Sequence, residues 1–178
     1  CQQGHESTAR LLLGNGATVD LGNNNGGTPL FIACQQGHES TARLLLGKGA
    51  TVDLAKNTGS TPLFIACQNG NESMARLLIG KGATVDLAMN NGATPLSVAC
   101  LSGHKLTARL LLDNGASVNH VNNNGGTPLL MACHFKQEAV ARLLARRGAT
   151  ITKRVVDKAK AQGKRKLAKW LRRVHGHA

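Results

Sequence analysis

The 178-residue sequence has no tyrosine, one tryptophan and three phenylalanines. Proteins that bind single-stranded nucleic acid stack bases on several exposed rings, and Phe31, Phe64, Phe135 and Trp170 are too few for such a platform. No stretch approaches the roughly 18 consecutive apolar residues of a membrane span. No basic, apolar and small-residue succession stands at the start, so neither a transmembrane helix nor a signal peptide is expected and the chain reads as soluble. Acidic residues are scarce: 9 Asp+Glu stand against 22 Lys+Arg, a formal charge of +13. What is present in quantity is apolar residues, 42%, and 21 glycines, which places the chain among globular rather than disordered or collagen-like sequences.

The glycines and cysteines are periodic. Cysteine falls at Cys1, Cys34, Cys67, Cys100 and Cys133, and Thr-Pro-Leu begins at Thr28, Thr61, Thr94 and Thr127, so both recur every 33 residues. Segments 1–33 and 34–66 differ only at Asn15/Lys48, Gly22/Ala55, Asn23/Lys56, Asn25/Thr58 and Gly27/Ser60. A fixed period of this length marks a repeat architecture, in which each unit is too small to bury its own apolar face and neighbours must stack.

One unit, 23–55, shows how the chemistry works. Thr28 is a good N-cap and Pro29 suits the first helical position, where no backbone bond is lost. Leu30, Ala33 and Cys34 share one face, and Gly37 can take the left-handed conformation that stops a helix. A second helix is expected from about Glu39 to Lys48-Gly49, an acid at its start and a cation and glycine at its end. Its Ala42, Leu44, Leu45 and Leu46 make it the expected main apolar donor. Residues 50–54 then run extended into Asn57-Thr58-Gly59, a turn-forming cluster, giving a projecting hairpin-like finger.

Gly-x-Thr-Pro-Leu-x-x-Ala, Gly-His and Leu-Leu-x-x-Gly-Ala at this period resemble the ankyrin repeat over roughly residues 1–152. The resemblance implies an all-α solenoid of stacked antiparallel helix pairs with finger loops at right angles, and a concave face of finger tips and first helices that binds other proteins. The chain departs from the family pattern after Thr-Pro-Leu, where the usual His is Phe31, Phe64, Ser97 or Leu130. The Gly-His pair becomes Gly70-Asn71 and Lys136-Gln137. These departures bear on hydrogen bonds between repeats, not on the fold.

The units are expected at about 1–22, 23–55, 56–88, 89–121 and 122–152. Cys1 matches Cys34, late in a first helix, so the chain is read as a fragment beginning inside a repeat. The next Thr-Pro-Leu would fall near Lys160, where Lys160-Ala161-Gln162 stands instead. Val155, Val156 and Ala159 suggest a degenerate first helix, and Leu167, Trp170, Leu171 and Val174 an amphipathic second one. Residues 153–178 are therefore expected to form a basic helical capping half-repeat without a full finger.

The charge is concentrated there. Residues 1–133 hold 8 Lys+Arg and 7 Asp+Glu, whereas 134–178 hold 14 and 2, so +12 of the +13 lies in the last 45 residues. The patch comprises Lys153, Arg154, Lys158, Lys160, Lys164, Arg165, Lys166, Lys169, Arg172 and Arg173. A polar outer face on a terminal repeat serves solubility. The same cations could dock an acidic protein, an anionic membrane or nucleic acid, and Lys164-Arg165-Lys166 resembles a nuclear-localisation cluster.

Chemical motifs are absent. Cysteines on equivalent stacked helices, about 8–10 Å apart, lie beyond the roughly 7 Å that a disulfide allows. The pairs Cys1/His5, Cys34/His38 and Cys100/His104 are interrupted by a helix-stopping glycine and lost in two repeats, so no zinc site is expected. A buried apolar thiol is inert as a nucleophile. Gly26-Gly27 and Gly125-Gly126 lead into Thr-Pro without the lysine of a phosphate loop. Asp20, Asp53 and Asp86, with Asn119 in the fourth unit, recur singly, as turn chemistry rather than paired catalytic carboxylates.

The expected function is a noncatalytic protein–protein interaction scaffold, with no cofactor, no small-molecule ligand and a monomeric state. The alternative is an electrostatic tether working through the basic end. By the family geometry the contact positions are Asn57, Thr58, Ser60, Gln68 and Asn69 in one repeat and Asn90, Asn91, Leu101 and Ser102 in the next. Asn123, Asn124, His134, Phe135 and Arg147 follow in the last. Few are the aromatic or arginine anchors of binding hot spots, so binding is expected to centre on Leu101, Phe135 and Arg147. Reduced thiols suit an intracellular setting, cytoplasmic or nuclear rather than secreted.

Overall fold

The computed structural model describes residues 5–175; Cys1 and the last three residues of the basic 153–178 segment lie outside the described residues. The described chain is helical throughout, with α1 (Glu6–Gly14), α2 (Pro29–Gln36), α3 (Glu39–Gly47), α4 (Pro62–Gln68), α5 (Glu72–Gly80) and α6 (Pro95–Ser102). After these come α7 (Lys105–Asp113), α8 (Pro128–His134), α9 (Glu138–Arg146), α10 (Lys153–Ala161) and α11 (Arg165–His175). Two layers result. The inner helices α2, α4, α6, α8 and α10 stack in succession, and the outer helices α1, α3, α5, α7, α9 and α11 stack beside them.

The expected start and stop signals operate in each unit. The hydroxyls of Thr28, Thr61, Thr94 and Thr127 accept the backbone N–H of Phe31, Phe64, Ser97 and Leu130 at 3.1 to 3.2 Å, and proline fills the first helical turn. Gly37 and Gly103 close α2 and α6 at φ 77° and 84°. In the last full unit the equivalent position is Lys136, which takes φ 62° without being glycine.

The expectation that the second helix is the main apolar donor is corrected. Pro62 to Cys67 are all buried in α4, as are Pro95 to Cys100 in α6, whereas α5 and α7 each bury one face. An inner helix within the stack has a neighbour on each side and its partner outer helix behind it. An outer helix leaves its back to water. This is why Arg43, Arg76 and Arg142 sit on the outer helices, each paired with a glutamate one turn earlier at 2.6 to 2.8 Å.

The fingers close like hairpins but form no strand among the described residues. In the second finger the Lys56 N–H donates to Ser60 O at 3.0 Å and Gly59 N–H to Lys56 O at 2.8 Å. Adjacent fingers lie so close that a Cβ on Gly59 would sit 2.7 Å from Asn90 Oδ1 and 2.8 Å from the Asn90 nitrogen. Glycine there is a packing requirement as well as a conformational one, since its φ is 81°.

At the C-terminal end Thr152 caps α10, 25 residues after Thr127 rather than 33. The chain between α9 and α10 is too short for a finger, and α10 packs on α8 while α11 packs on α9 and α10. Val155, Val156, Ala159, Leu167 and Leu171 are buried in this contact.

Candidate functional site

The concave side of the array, between the fingers and the inner helices, holds a groove of about 550 Å³. Its floor follows the repeat. Ile65, Val98 and Met131 stand 33 residues apart on α4, α6 and α8, and Phe31 and Phe64 lie beside them. Leu101 closes the inner wall, and Gln35 and Gln68 occupy the equivalent places on α2 and α4. The finger wall carries Lys56, Met89 and Asn122, again at intervals of 33, with Thr58, Ser60, Asn91 and Ala93. Lys56 is the single charged residue in the lining, and its Nζ lies 5.2 Å from the Phe31 ring centroid, a distance at which the ring face attracts a cation.

Five of the expected contact residues meet in this groove: Thr58, Ser60, Gln68, Asn91 and Leu101. Four others have work between repeats. The side-chain amides of Asn57, Asn90 and Asn123 donate to the carbonyls of Asn24, Asn57 and Asn90 at 3.3, 3.0 and 3.1 Å. Their backbone N–H groups donate to Asn25, Thr58 and Asn91 at 3.1 Å each. Asn69 Nδ2 donates to Gln35 O at 2.9 Å. These asparagines stitch finger to finger and helix to helix.

The remaining positions lie apart from the groove lining. Ser102 is half-buried at the end of α6, and Asn124 is exposed at the last finger tip, its N–H donating to Asn122 Oδ1 at 3.0 Å. His134, the last residue of α8, and Phe135 after it are exposed and meet edge to face at 4.7 Å. Arg147 follows the end of α9 and forms an ion pair with Asp113 of the preceding repeat at 2.7 Å.

The Gly-His departures are absorbed by other amides. His104 Nε2 lies 3.0 Å from Gln68 O, and Gln137 Nε2 donates to Leu101 O at 3.2 Å from the equivalent place. Asn71 instead caps α5, its Oδ1 accepting Met74 N–H at 3.0 Å. The repeated aspartates are structural, yet they reach the next repeat rather than their own turn. Asp20 accepts the N–H and hydroxyl of Thr51, Asp53 accepts Thr84 N–H, and Asp86 accepts both groups of Ser117. Asn119 Oδ1 holds Thr150 N–H at 2.8 Å in the same way.

The family model for ankyrin repeats, three copies, matches residues 1–89 and 81–155. The chain belongs to the ankyrin repeat family. Among curated proteins none matches it. Ankyrin repeats are generally protein–protein interaction modules, and proteins built from them are typically noncatalytic. The thiols of this ankyrin array fit that character. Cys34, Cys67, Cys100 and Cys133 are buried and unbridged, and desolvation pushes Cys34 up to about 12 and Cys133 up to about 11, with Cys67 and Cys100 also raised. Among the described residues no three His, Cys, Asp or Glu side chains cluster to hold a metal ion. No described helix is long and apolar enough to cross a membrane.

The groove floor escaped the sequence reading. Phe31, Phe64, Ile65 and Val98 lie in apolar helix stretches, read there as core and are buried in it, so each shows the groove only an edge, while Met131 is half-buried. The signal available was periodic variation: Ile65, Val98 and Met131 change identity at one repeat position while Leu63, Leu96 and Leu129, two residues earlier, do not.

Proposed function

We propose that this chain is a noncatalytic scaffold that holds a protein partner in the groove between its fingers and inner helices. The observation that carries the reading is the apolar floor of Ile65, Val98 and Met131, shared by three successive repeats and rimmed by amide and hydroxyl groups. An apolar floor supplies contact area, and the amide and hydroxyl groups of the walls, with Lys56 on the finger side, orient a partner. Contact then centres on the half-buried Met89, Leu101 and Met131 with exposed Thr58 and Asn91, rather than on Phe135 and Arg147. The array is 1–152 and the basic segment 153–178 is its capping half-repeat; the buried thiols support a reducing, intracellular setting.

Binders selected from a displayed peptide library against the whole chain test this. Thr58→Arg or Leu101→Glu in the groove should weaken the selected binders by at least tenfold, about 1.4 kcal/mol, while Lys48→Glu on the outer side should not. Loss of binding through Lys48→Glu alone would place the partner face elsewhere.

A further inference from the structure

The basic residues at the C-terminal end divide by what they touch. Arg142 pairs with Glu138, Arg147 with Asp113, and Arg154 Nη1 donates to Gly125 O at 3.2 Å. The first lies within α9, where Arg142 also covers the Trp170 ring of α11, and the other two join one repeat to the next. On α11, by contrast, Arg165, Lys166, Lys169, Arg172 and Arg173 are exposed, and none forms an ion pair with a described residue.

Their spacing is i, i+1, i+4, i+7 and i+8. At about 100° per residue they fall within a stripe about 120° wide, and at 1.5 Å per residue the stripe is about 12 Å long. The opposite face is sealed, with Leu167, Ala168 and Leu171 no more than 1% exposed. Solubility alone does not account for the composition. Arg43 of α3, Arg76 of α5 and Arg142 of α9 each have a glutamate one turn earlier, and exposed Arg109 of α7 and Arg146 of α9 stand singly, whereas α11 gathers five exposed cations with no acid on the helix.

Five unpaired cations held on a rigid helix call for a polyanion, and three features select its class. An amphipathic helix that enters a bilayer needs its apolar face free, and here that face is packed against the array. Single strands need aromatic platforms, and the α11 stripe has none. The helix is the last of its layer, packed on α9 and α10, so it presents a ridge. A ridge of one helix suits the major groove of B-form DNA, about 12 Å wide, whereas the deep, narrow groove of duplex RNA excludes it.

We propose that α11 docks on the phosphates of duplex DNA, independently of base sequence, as an activity separate from the protein-binding groove. Arginine and lysine contacts to phosphate release counterions, so five contacts give a log–log salt slope of about −4.5.

The test is fluorescence anisotropy of the whole chain with a labelled duplex of about 20 base pairs, between about 50 and 200 mM salt. Binding with a slope near −4.5 is expected, falling to about −1.8 in the triple variant Lys169→Gln, Arg172→Gln, Arg173→Gln. Acetylation footprinting of the unaltered chain removes dependence on the variant's fold: duplex should protect Lys166 and Lys169 but not Lys48 or Lys81. No duplex binding at the low-salt limit, a slope the triple variant leaves unchanged, or equal protection of Lys48 would overturn the proposal. So would binding to phosphatidylserine vesicles with none to duplex, which would assign the stripe to a membrane surface.

Discussion

The guanidinium of Arg142 lies over the ring of Trp170, 4.7 Å from its centroid, and also donates through Nε and Nη2 to Glu138 Oε1 at 3.1 and 2.8 Å. One side chain of α9 thus fixes the terminal helix by its face and its own helix by its edge. Trp170 is half-buried, so Trp170→Ala removes both packing and the cation–π contact. It should cost about 2–3 kcal/mol, at the low end for a large aromatic, and Trp170→Phe much less. Urea unfolding followed by circular dichroism measures both.

The carboxylate ladder gives a second prediction. Asp86 holds Ser117 N–H at 2.9 Å and its hydroxyl at 2.6 Å across a repeat boundary. Asp86→Ala should therefore lower stability by about 1–2 kcal/mol, toward the low end of the roughly 1.5–3 kcal/mol for a bond to a charged group because the carboxylate is only half-buried. Asp86→Asn should retain part of it, because Asn119 serves Thr150 at the next boundary. Equal losses in the two variants, read from the urea midpoint, would show that the ladder is not what the side chain contributes.

Lys136 occupies a conformation that its equivalents reach as glycine. At φ 62° an L-residue is strained by about 1–2 kcal/mol, while glycine would add unfolded-chain freedom worth about 0.4–1 kcal/mol. The balance predicts that Lys136→Gly stabilises the chain by about 0.5–1 kcal/mol. Lys136→Ala, which keeps the Cβ, should not. Paired thermal melts of the two variants separate strain from loss of charge.

How far the sequence could be read depends on whether a feature is local. Thr28, Pro29 and Gly37 act within one or two turns, so their roles follow from residue type and spacing, and the helix boundaries agree with them. The groove floor is not local. Ile65 is buried in the core and still lines the groove; which edge it shows there depends on how α4 sits between its neighbours, and residue type alone does not tell. Asn57, Asn90 and Asn123 show the converse: turn residues look free to contact a partner, and only stacking reveals that each bonds the finger 33 residues before it. The burial of α4 and α6 on all sides has the same origin, because a unit considered alone has no neighbours.

The buried thiols make stability fall at alkaline pH. In the folded chain desolvation holds Cys34 up to about 12 and Cys133 up to about 11, and raises Cys67 and Cys100, whereas a solvated cysteine ionises near 8.5. Above that pH the unfolded chain loses protons that the folded chain keeps, so unfolding becomes more favourable as pH rises. Their contribution is intact below about pH 8 and declines through the folded values, each thiol adding up to about 1.4 kcal/mol per pH unit. The urea midpoint should therefore drop between about pH 8.5 and 10.5, and the slope should flatten when Cys34, Cys67, Cys100 and Cys133 are all replaced by alanine, which fits their volume. Lysine titration is common to both chains and cancels. The same burial predicts that iodoacetamide at pH 8 labels these four thiols slowly in the folded chain and rapidly in guanidinium, where the thiolate is solvated. Fast labelling of Cys67 or Cys100 without denaturant would mean that the stack of inner helices opens far more readily than its packing implies.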